Sequence, residues 1–442
     1  MTATSARPLQ LLARRPIHPW LHVDAEGVII GRVTDIGDIQ LVTSDRTAHD
    51  PGDMKDLLAF VPRVYPDLAN RWPDADAEDW LTNGSAPTFA EAFVPLHSEL
   101  EAAVQFAGPH DATFVAVWGL ATYFHQLFLT FPRLNLVGER GCGKSKVLGI
   151  LHAVAWNAYL SLVPTSAVLY RLIQETRPTL LLDECEGLSG NESRDILAII
   201  NSGYKRGGVV LRCEGERINR VEPFQVYSPL ALAGINGLNA TTEDRAIRIV
   251  MQRGTMRDRI NAEVDSAAPV FTRIRSIAYR LLLTRWRDVV KAYNSVSFPE
   301  WLNGRARELW KPLLAIAQIV EEEGGQAVMQ GLLAMAQEHV EDRSDLSAEG
   351  EALLEILEGR FGPEDAILVR PGDLSDELQQ RLGWRDKPTP ERVGSWLRRL
   401  GFRRTKKARE GAQYEIRAEQ LREAMRRYGL DTTVTPSPSH SN

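Results

Sequence analysis

The stretch LNLVGERGCGKSKVLGI, residues 134–150, constrains this chain more than any other, because an apolar strand pattern runs into a glycine-rich turn that opens a helix. Gly138, Gly143, Lys144 and Ser145 match the G-x-x-x-x-G-K-[ST] spacing of the P-loop, or Walker A motif. Glycines let successive backbone N–H groups turn inward around phosphate oxygens, and the helix starting near Lys144 adds its positive end. Lys144 is expected to reach the β- and γ-phosphates of ATP, and the Ser145 hydroxyl to take one position on Mg2+. The candidate nucleotide-binding set is therefore Gly138, Glu139, Arg140, Gly141, Cys142, Gly143, Lys144, Ser145 and Lys146. An ordinary glycine turn is the alternative, and the strand before and helix after argue against it.

With 442 residues the chain is long enough for two to four domains at about 150 residues each. Its net charge of −6 is unevenly spread. Residues 381–430 hold 15 Lys and Arg against 6 Asp and Glu, which leaves the remainder at −15 and marks the end of the chain as a separate electrostatic unit. Cys142, Cys185 and Cys213 form no C-x-x-C pair, so neither a disulfide framework nor a zinc site is expected. The N-terminus lacks the apolar core of a signal peptide, and the apolar run at 114–124 is too short to span a bilayer. A cytoplasmic protein without a membrane partner is expected.

In chain order, residues 20–44 alternate apolar and polar positions across DAEG and DIGD turns and predict two or three short strands. Residues 54–72 read as helical, and the Pro- and Asp-rich stretch 72–87 as a boundary. From 88 onward apolar spacing of three and four predicts helices leading into the P-loop strand. Beyond it strand and helix alternate, the pattern of a parallel sheet covered on both faces. Thr165 or Ser166 is placed as a helix cap, and TLLLDE (179–184) as a strand with Walker B character. Asp183, beside the P-loop, is expected to hold hydrated Mg2+, and Glu184 to orient and deprotonate the attacking water; a solvated acidic pair is the alternative. The adjacent glutamate favours hydrolysis over transfer to an acceptor.

Residues 209–227 predict a β-hairpin with Arg212, Arg217 and Arg220 toward its tip and Lys205 and Arg206 at its base. Such a hairpin in a ring-shaped motor points into the channel, where basic side chains track phosphates; a solvated charged hairpin is the other reading. SPLALAGIN ends in Asn236, at a sensor-1 position, and Arg245 precedes a further apolar strand as a candidate arginine finger, with a surface salt bridge as its alternative.

Walker A, Walker B with DE, sensor 1 and an arginine finger occur in that order, and the chain resembles AAA+ ATPases. The runs YRLIQETRPTLLLDE, INSGYKRGG, ALAGIN, EDRAIRI and RARELWKPLLAIA resemble a helicase-like AAA+ family of phages and other mobile elements, related to primase-associated helicases. The similarity spans roughly residues 110–430. It implies hexamers or other rings, ATP hydrolysis between subunits, DNA as the track and Arg305, or else Arg307, as the lid's sensor 2. No primase or nuclease motif is evident in residues 1–87.

The expected fold class is α/β: an AAA+ P-loop core (88–255) of parallel sheet with helices on both faces, and a helical lid (256–345). A small N-terminal α+β unit (1–87) precedes them; a basic winged-helix-like domain (346–430) and a disordered tail (431–442) follow. Trp301 and Trp310 read as lid core rather than base-stacking platforms. In the last domain three helices precede a hairpin, and Arg392, Arg398 and Arg399, with Arg403, Arg404, Lys406, Lys407 and Arg409, suit duplex phosphates; protein docking is the alternative. The leading function is an ATP-hydrolysing DNA helicase or translocase in mobile-element replication, a homo-oligomer with a single strand in its channel and replication proteins as partners. A non-unwinding helicase loader or initiator, and an ATP-regulated DNA-binding regulator, are the alternatives.

Overall fold

The computed structural model describes residues 16–427 apart from positions 70, 186–187, 189–192, 215–219, 236–237, 325–326, 343–347, 363–364 and 409–410. The chain divides after His339 into two compact units.

The first unit opens with β1 (Leu21–Val23), β2 (Val28–Val33), β3 (Ile39–Thr43) and β4 (Ala48–His49), an antiparallel sheet in chain order. The Asp24 carboxylate accepts from the backbone N–H groups of Glu26 and Gly27 and so sets the first turn. The helix expected over 54–72 does not form: this stretch is turns and one 3-10 turn, Pro66–Leu68. Pro62 and Pro66 each remove a helical N–H donor. The boundary expected at 72–87 is instead occupied by α1 (Asp74–Asn83), with Asp74 and Asp76 in its first turn and Gly84 ending it in the left-handed region at φ 63°. Trp72, just ahead of it, stacks on Tyr279 at 5.2 Å. The Trp72 carbonyl accepts from Arg32 Nη1 of β2 at 2.9 Å, which ties the N-terminal sheet to this stretch.

A capping box between Thr88 and Glu91 opens α2 (Phe89–Ala103). Next comes α3 (Asp111–Ala121), buried on all sides. The central layer is then β5 (Arg133–Val137), α4 (Lys144–Val154), β6 (Ala158–Leu162), α5 (Ser166–Thr176), β7 (Thr179–Asp183), α6 (Ser193–Ser202), the hairpin β8 (Val209–Glu214) and β9 (Arg220–Gln225), β10 (Leu230–Gly234), α7 (Ala240–Glu243) and β11 (Ala246–Val250). Thr165 caps α5 by accepting from the Val168 N–H. Five of these strands form a parallel sheet in the order β11-β5-β10-β7-β6. β5, β7 and β10 are almost continuously buried, as strands covered on both faces must be. β7 is one place removed from the P-loop strand, with β10 inserted between them.

Helices α8 (Arg257–Asn261), α9 (Pro269–Ser295) and α10 (Gly304–Glu322) follow, then α11 (Val328–Asp342), whose last residues lie beyond His339. Trp310 is fully buried against Phe114, as a core residue.

The second unit contains α12 (Ala348–Arg360), β12 (Ala366–Val369), α13 (Pro371–Leu382), α14 (Pro390–Arg399), β13 (Arg404–Ala408), β14 (Gly411–Arg417) and α15 (Ala418–Arg427). Its antiparallel sheet runs β12-β14-β13 around a core that includes Leu353, Leu357, Leu374, Val393, Leu397, Tyr414 and Ile416. β12 is too short for an alternation pattern to reveal it.

Candidate nucleotide site

β5 delivers the chain into the glycine loop, and α4 carries it away. A Cβ at Gly138 would lie 2.2 Å from the Met251 carbonyl oxygen, so this position has room for glycine alone. Gly143, at φ 96°, turns the backbone into α4 with a conformation that other residues adopt only under strain. Lys144 directs its ammonium onto the carbonyls of Gly138 and Glu139, with Cys142 Sγ 3.6 Å away. Cys142 and Cys185 are both buried.

Ser145 Oγ donates to Asp183 Oδ2 at 2.9 Å. This contact joins the first turn of α4 to the end of β7, although β10 separates the two strands. Glu184 follows in the left-handed region at φ 54°, its N–H donating to Asp183 Oδ1 at 2.9 Å. A non-glycine residue held there costs about 1–3 kcal/mol, strain of a kind that clusters at functional sites. The Glu184 side chain is exposed.

These groups line a cavity of about 1030 Å3. Its floor is loop residues 140–146, Asp183, Glu184 and Ile235; its other wall is Ala103, Val104 and Gln105 beyond α2, with Gly254, Arg259 and Ile260 around α8. Gln105 Oε1 accepts from the N–H groups of Thr255 (2.7 Å) and Met256 (3.0 Å), locking the two parts of this wall together. Nothing in the sequence marked it, because these residues belong to no motif and lie 150 positions apart.

Lys146 lines the cavity and also braces it. Its ammonium donates to the carbonyls of Arg259 (2.6 Å) and Ile260 (2.9 Å), holding α8 to α4. Two positions along a helix is about 200° of rotation, so Lys146 and Lys144 leave opposite sides of α4. Arg140 contributes its carbonyl, which accepts from Arg253 Nε at 3.1 Å.

Arg305 does not reach the cleft of its own chain. Its Nη1 donates to the Tyr204 hydroxyl at 2.5 Å and its Nε lies 3.3 Å from Asp244. Arg245 lies over the same Tyr204 ring at 5.2 Å, with Arg305 at 5.0 Å. Both stand at the amino ends of the parallel strands, where the Arg133 N–H donates to the Arg245 carbonyl, whereas the glycine loop leaves from the carboxyl ends. The length of β5, roughly 13 Å, separates the two ends. Arg307 lies over Phe298 at 4.4 Å. Asn236 and Arg217 fall outside the described residues.

On the hairpin, register places Arg212 opposite Glu222 and Leu211 opposite Pro223. Arg212 belongs to the inward face, 5.5 Å over the Tyr170 ring and 3.7 Å from Asp195, rather than to an outward basic tip. The outward face is apolar, with Leu211 63% and Val221 60% exposed; Arg220 is exposed at the start of β9.

In the second unit Arg398 donates to the Tyr414 hydroxyl at 3.0 Å, and Arg392 lies over Trp384 and Trp396. Arg399, Arg403 and Arg404 are exposed; the side chains of Lys406 and Lys407, on β13, and all of Arg409 lie outside the described set.

A hydroxyl and a carboxylate oxygen 2.9 Å apart suit adjacent positions on one Mg2+, an ion that takes one or two protein oxygens and fills the rest with phosphate and water. Among the described residues no cluster of three or more His, Cys, Asp or Glu forms, as such a site allows. The loop, its lysine and serine, and the acid at the end of β7 define a P-loop α/β domain.

No family model matches the chain, and no curated protein matches it. Among solved structures it is similar to a chain of Drosophila ORC bound to DNA, at 11% identity and a TM-score of 0.23, over 78% of this chain and 93% of that one. It is also similar to the JCV helicase, at 10% identity and a TM-score of 0.22, over 64% and 75%, and to the same helicase with a bound small molecule, at 12%, 0.23, 60% and 75%. Likeness at that level decides neither fold nor activity. Those rest on the residues of the chain itself.

Proposed function

We propose that this chain is an ATP-hydrolysing AAA+ protein that moves along or unwinds DNA as a homo-oligomeric ring. The observation that carries the reading is the Ser145–Asp183 contact across β10, with Glu184 immediately beyond it. Lys144 and the loop N–H groups bind the phosphates; Ser145 and Asp183 would hold Mg2+, which would neutralise charge on the phosphate oxygens. Glu184 orients the attacking water and accepts its proton, and Asn236 hydrogen-bonds the γ-phosphate or that water. The apolar wall of Val104 and Ile260 accommodates the base. Arg245 serves a neighbouring subunit's site, and the pairing of both arginines on Tyr204 supports giving Arg305 the same role in place of a sensor within its own cleft.

The order α12-β12-α13-α14-β13-β14 supports reading the second unit as a winged helix, with α14 as the recognition helix and β13–β14 as the wing. Arg399, Arg403, Arg404, Lys406 and Lys407 supply its duplex contacts, while Arg398 braces the wing through Tyr414. The setting in phage or mobile-element replication follows the sequence resemblance. One observation favours the second reading, a non-unwinding loader or initiator: an apolar outward hairpin face suits a protein partner better than a phosphate backbone.

Steady-state ATP hydrolysis with and without single-stranded DNA tests the proposal. Lys144→Ala is expected to abolish turnover, and Glu184→Gln to lower it by about 100- to 10,000-fold while nucleotide still binds. Strong stimulation by single strands supports a motor. Hydrolysis indifferent to DNA moves the assignment to the loader, and full activity in both variants sinks the site.

A further inference from the structure

The carboxyl end of α4 is finished in an unusual way. The last carbonyls of a helix lack partners within it and are ordinarily met by water or a tightened turn. Here the Leu151 carbonyl accepts from the Ala155 N–H, and the next four are met in protein. Arg71 Nη1 donates to the His152 carbonyl at 2.9 Å, Arg275 Nη1 to Ala153 at 2.6 Å and the Tyr123 hydroxyl to Val154 at 3.0 Å. Arg71 Nη2 donates to the carbonyl of Ala155. Arg275 Nε then donates to the Arg71 carbonyl at 3.0 Å, so the two arginines brace one another's placement.

Both arginines are only 8% exposed, and their described side-chain hydrogen bonds go to backbone carbonyls and the hydroxyls of Thr272 and Tyr279, none to a carboxylate. Burying two guanidinium groups with no carboxylate among their described hydrogen-bond partners is costly, and the negative end of a helix dipole offsets part of that cost. If ending α4 were the sole requirement, a left-handed glycine such as Gly84 on α1 would meet it without buried charge. The other end of the same helix carries Lys144 and Ser145. α4 is rigid and about 16 Å long, so an arginine that fixes its carboxyl end also fixes where its amino end stands relative to Asp183. The charge adds a second, weaker effect, a long-range attraction between the cations and a phosphate group.

We propose that Arg71 and Arg275 are positioning residues for the phosphate loop, and that the segment carrying Arg71 is a built-in part of the nucleotide site. This rests on the nucleotide-binding reading above. It gives the N-terminal region a role that none of its own motifs supplies: through Arg71 it sets the affinity of the loop.

The experiment measures Mg-ATP affinity and ATP turnover for the full chain and for Arg71→Met, Arg71→Lys, Arg275→Met and Arg32→Met. Arg32 serves as the control, being buried in the same N-terminal region but bonded to Gln40, the Trp72 carbonyl and Asp74, away from α4. Arg71→Met and Arg275→Met are expected to weaken ATP binding about tenfold, with a smaller change in maximal turnover, because Glu184 is untouched. Arg71→Lys keeps the charge and loses the two-carbonyl fork, and should lie between; it also decides the matter where Arg71→Met does not fold. Arg32→Met should lower the melting temperature and leave ATP affinity unchanged. Affinity unchanged in the Arg71 and Arg275 variants, or weakened equally by Arg32→Met, overturns the proposal and makes the clamp purely structural. Wild-type protein that fails to bind ATP, or Lys144→Ala that binds as tightly as wild type, overturns the nucleotide reading itself and this inference with it.

Discussion

His125 is enclosed on every side, and both of its ring nitrogens have partners: Nδ1 lies 2.8 Å from the Thr122 carbonyl and Nε2 2.9 Å from the Gln126 amide nitrogen. The carbonyl requires a donor at Nδ1, which leaves Nε2 to accept, so the neutral ring satisfies both contacts. Burial first, and the Arg177 charge after it, push its pKa down to about 3. A lowered folded-state pKa means that the unfolded chain binds the proton more readily. His125 therefore contributes stability that is fully present above about pH 6.5 and is lost as pH falls from there toward 3. In urea unfolding between pH 7.5 and 5, the wild type should lose stability with a slope approaching 1.4 kcal/mol per pH unit from this residue, about what one proton supplies. His125→Asn should flatten the curve by that amount while lowering it throughout. His18 is shifted the same way by its burial, so part of the acid sensitivity remains in the variant. An unchanged slope would show that His125 does not titrate with unfolding. None of this was legible in the sequence, where a histidine in ATYFHQLF carries no mark of its enclosure. Lys144 and Ser145, by contrast, were legible because the loop's chemistry fixes residue type and spacing together.

At the scale of elements, alternation and helical spacing gave the strands and helices of the central layer, whereas their order in the sheet could not be read from them. Nothing local in SPLALAGIN says that β10 will insert between β5 and β7; that follows from nonlocal packing. The hairpin shows the same limit. Its arginines were visible as a basic run, but a strand's two faces alternate, and only the docking of Phe224 on Tyr170, at 4.4 Å, settles that Arg212 turns inward. Arg212, which is half-buried, should separate in experiment from Arg217 and the exposed Arg220. Arg212→Ala removes the contacts with Asp195 and Tyr170 and is expected to lower stability by about 1 kcal/mol, with strand separation altered only through that loss. Arg217→Ala with Arg220→Ala should leave ATP binding and melting temperature intact and abolish unwinding. Unwinding untouched by the double change would remove the hairpin from the DNA path and strengthen the loader reading.

For the whole molecule, the arrangement of charges across the sheet decides what assembly must do. The glycine loop opens at the carboxyl ends of the strands, and Arg245 and Arg305 stand on Tyr204 at the amino ends. They cannot serve one cleft within one subunit unless the sheet itself is broken. On the proposed reading, a head-to-tail contact between copies would bring one subunit's arginines to the next one's loop, and repeated rotation would close such contacts into a ring. Mixing tests this directly. Lys144→Ala subunits lack a working loop, and Arg245→Ala subunits lack the arginine they present to a neighbour. Each alone is expected to be inactive. In an equal, randomly assembled mixture about a quarter of the contacts join an intact loop to an intact arginine, so hydrolysis should return to roughly that fraction of wild type. Arg305→Ala should behave as Arg245→Ala does, and the Lys144→Ala, Arg305→Ala mixture should recover likewise. No recovery in either mixture, with assembly of the mixed subunits confirmed by size, would place the arginines outside the catalytic contact and leave their pairing on Tyr204 a matter of local packing.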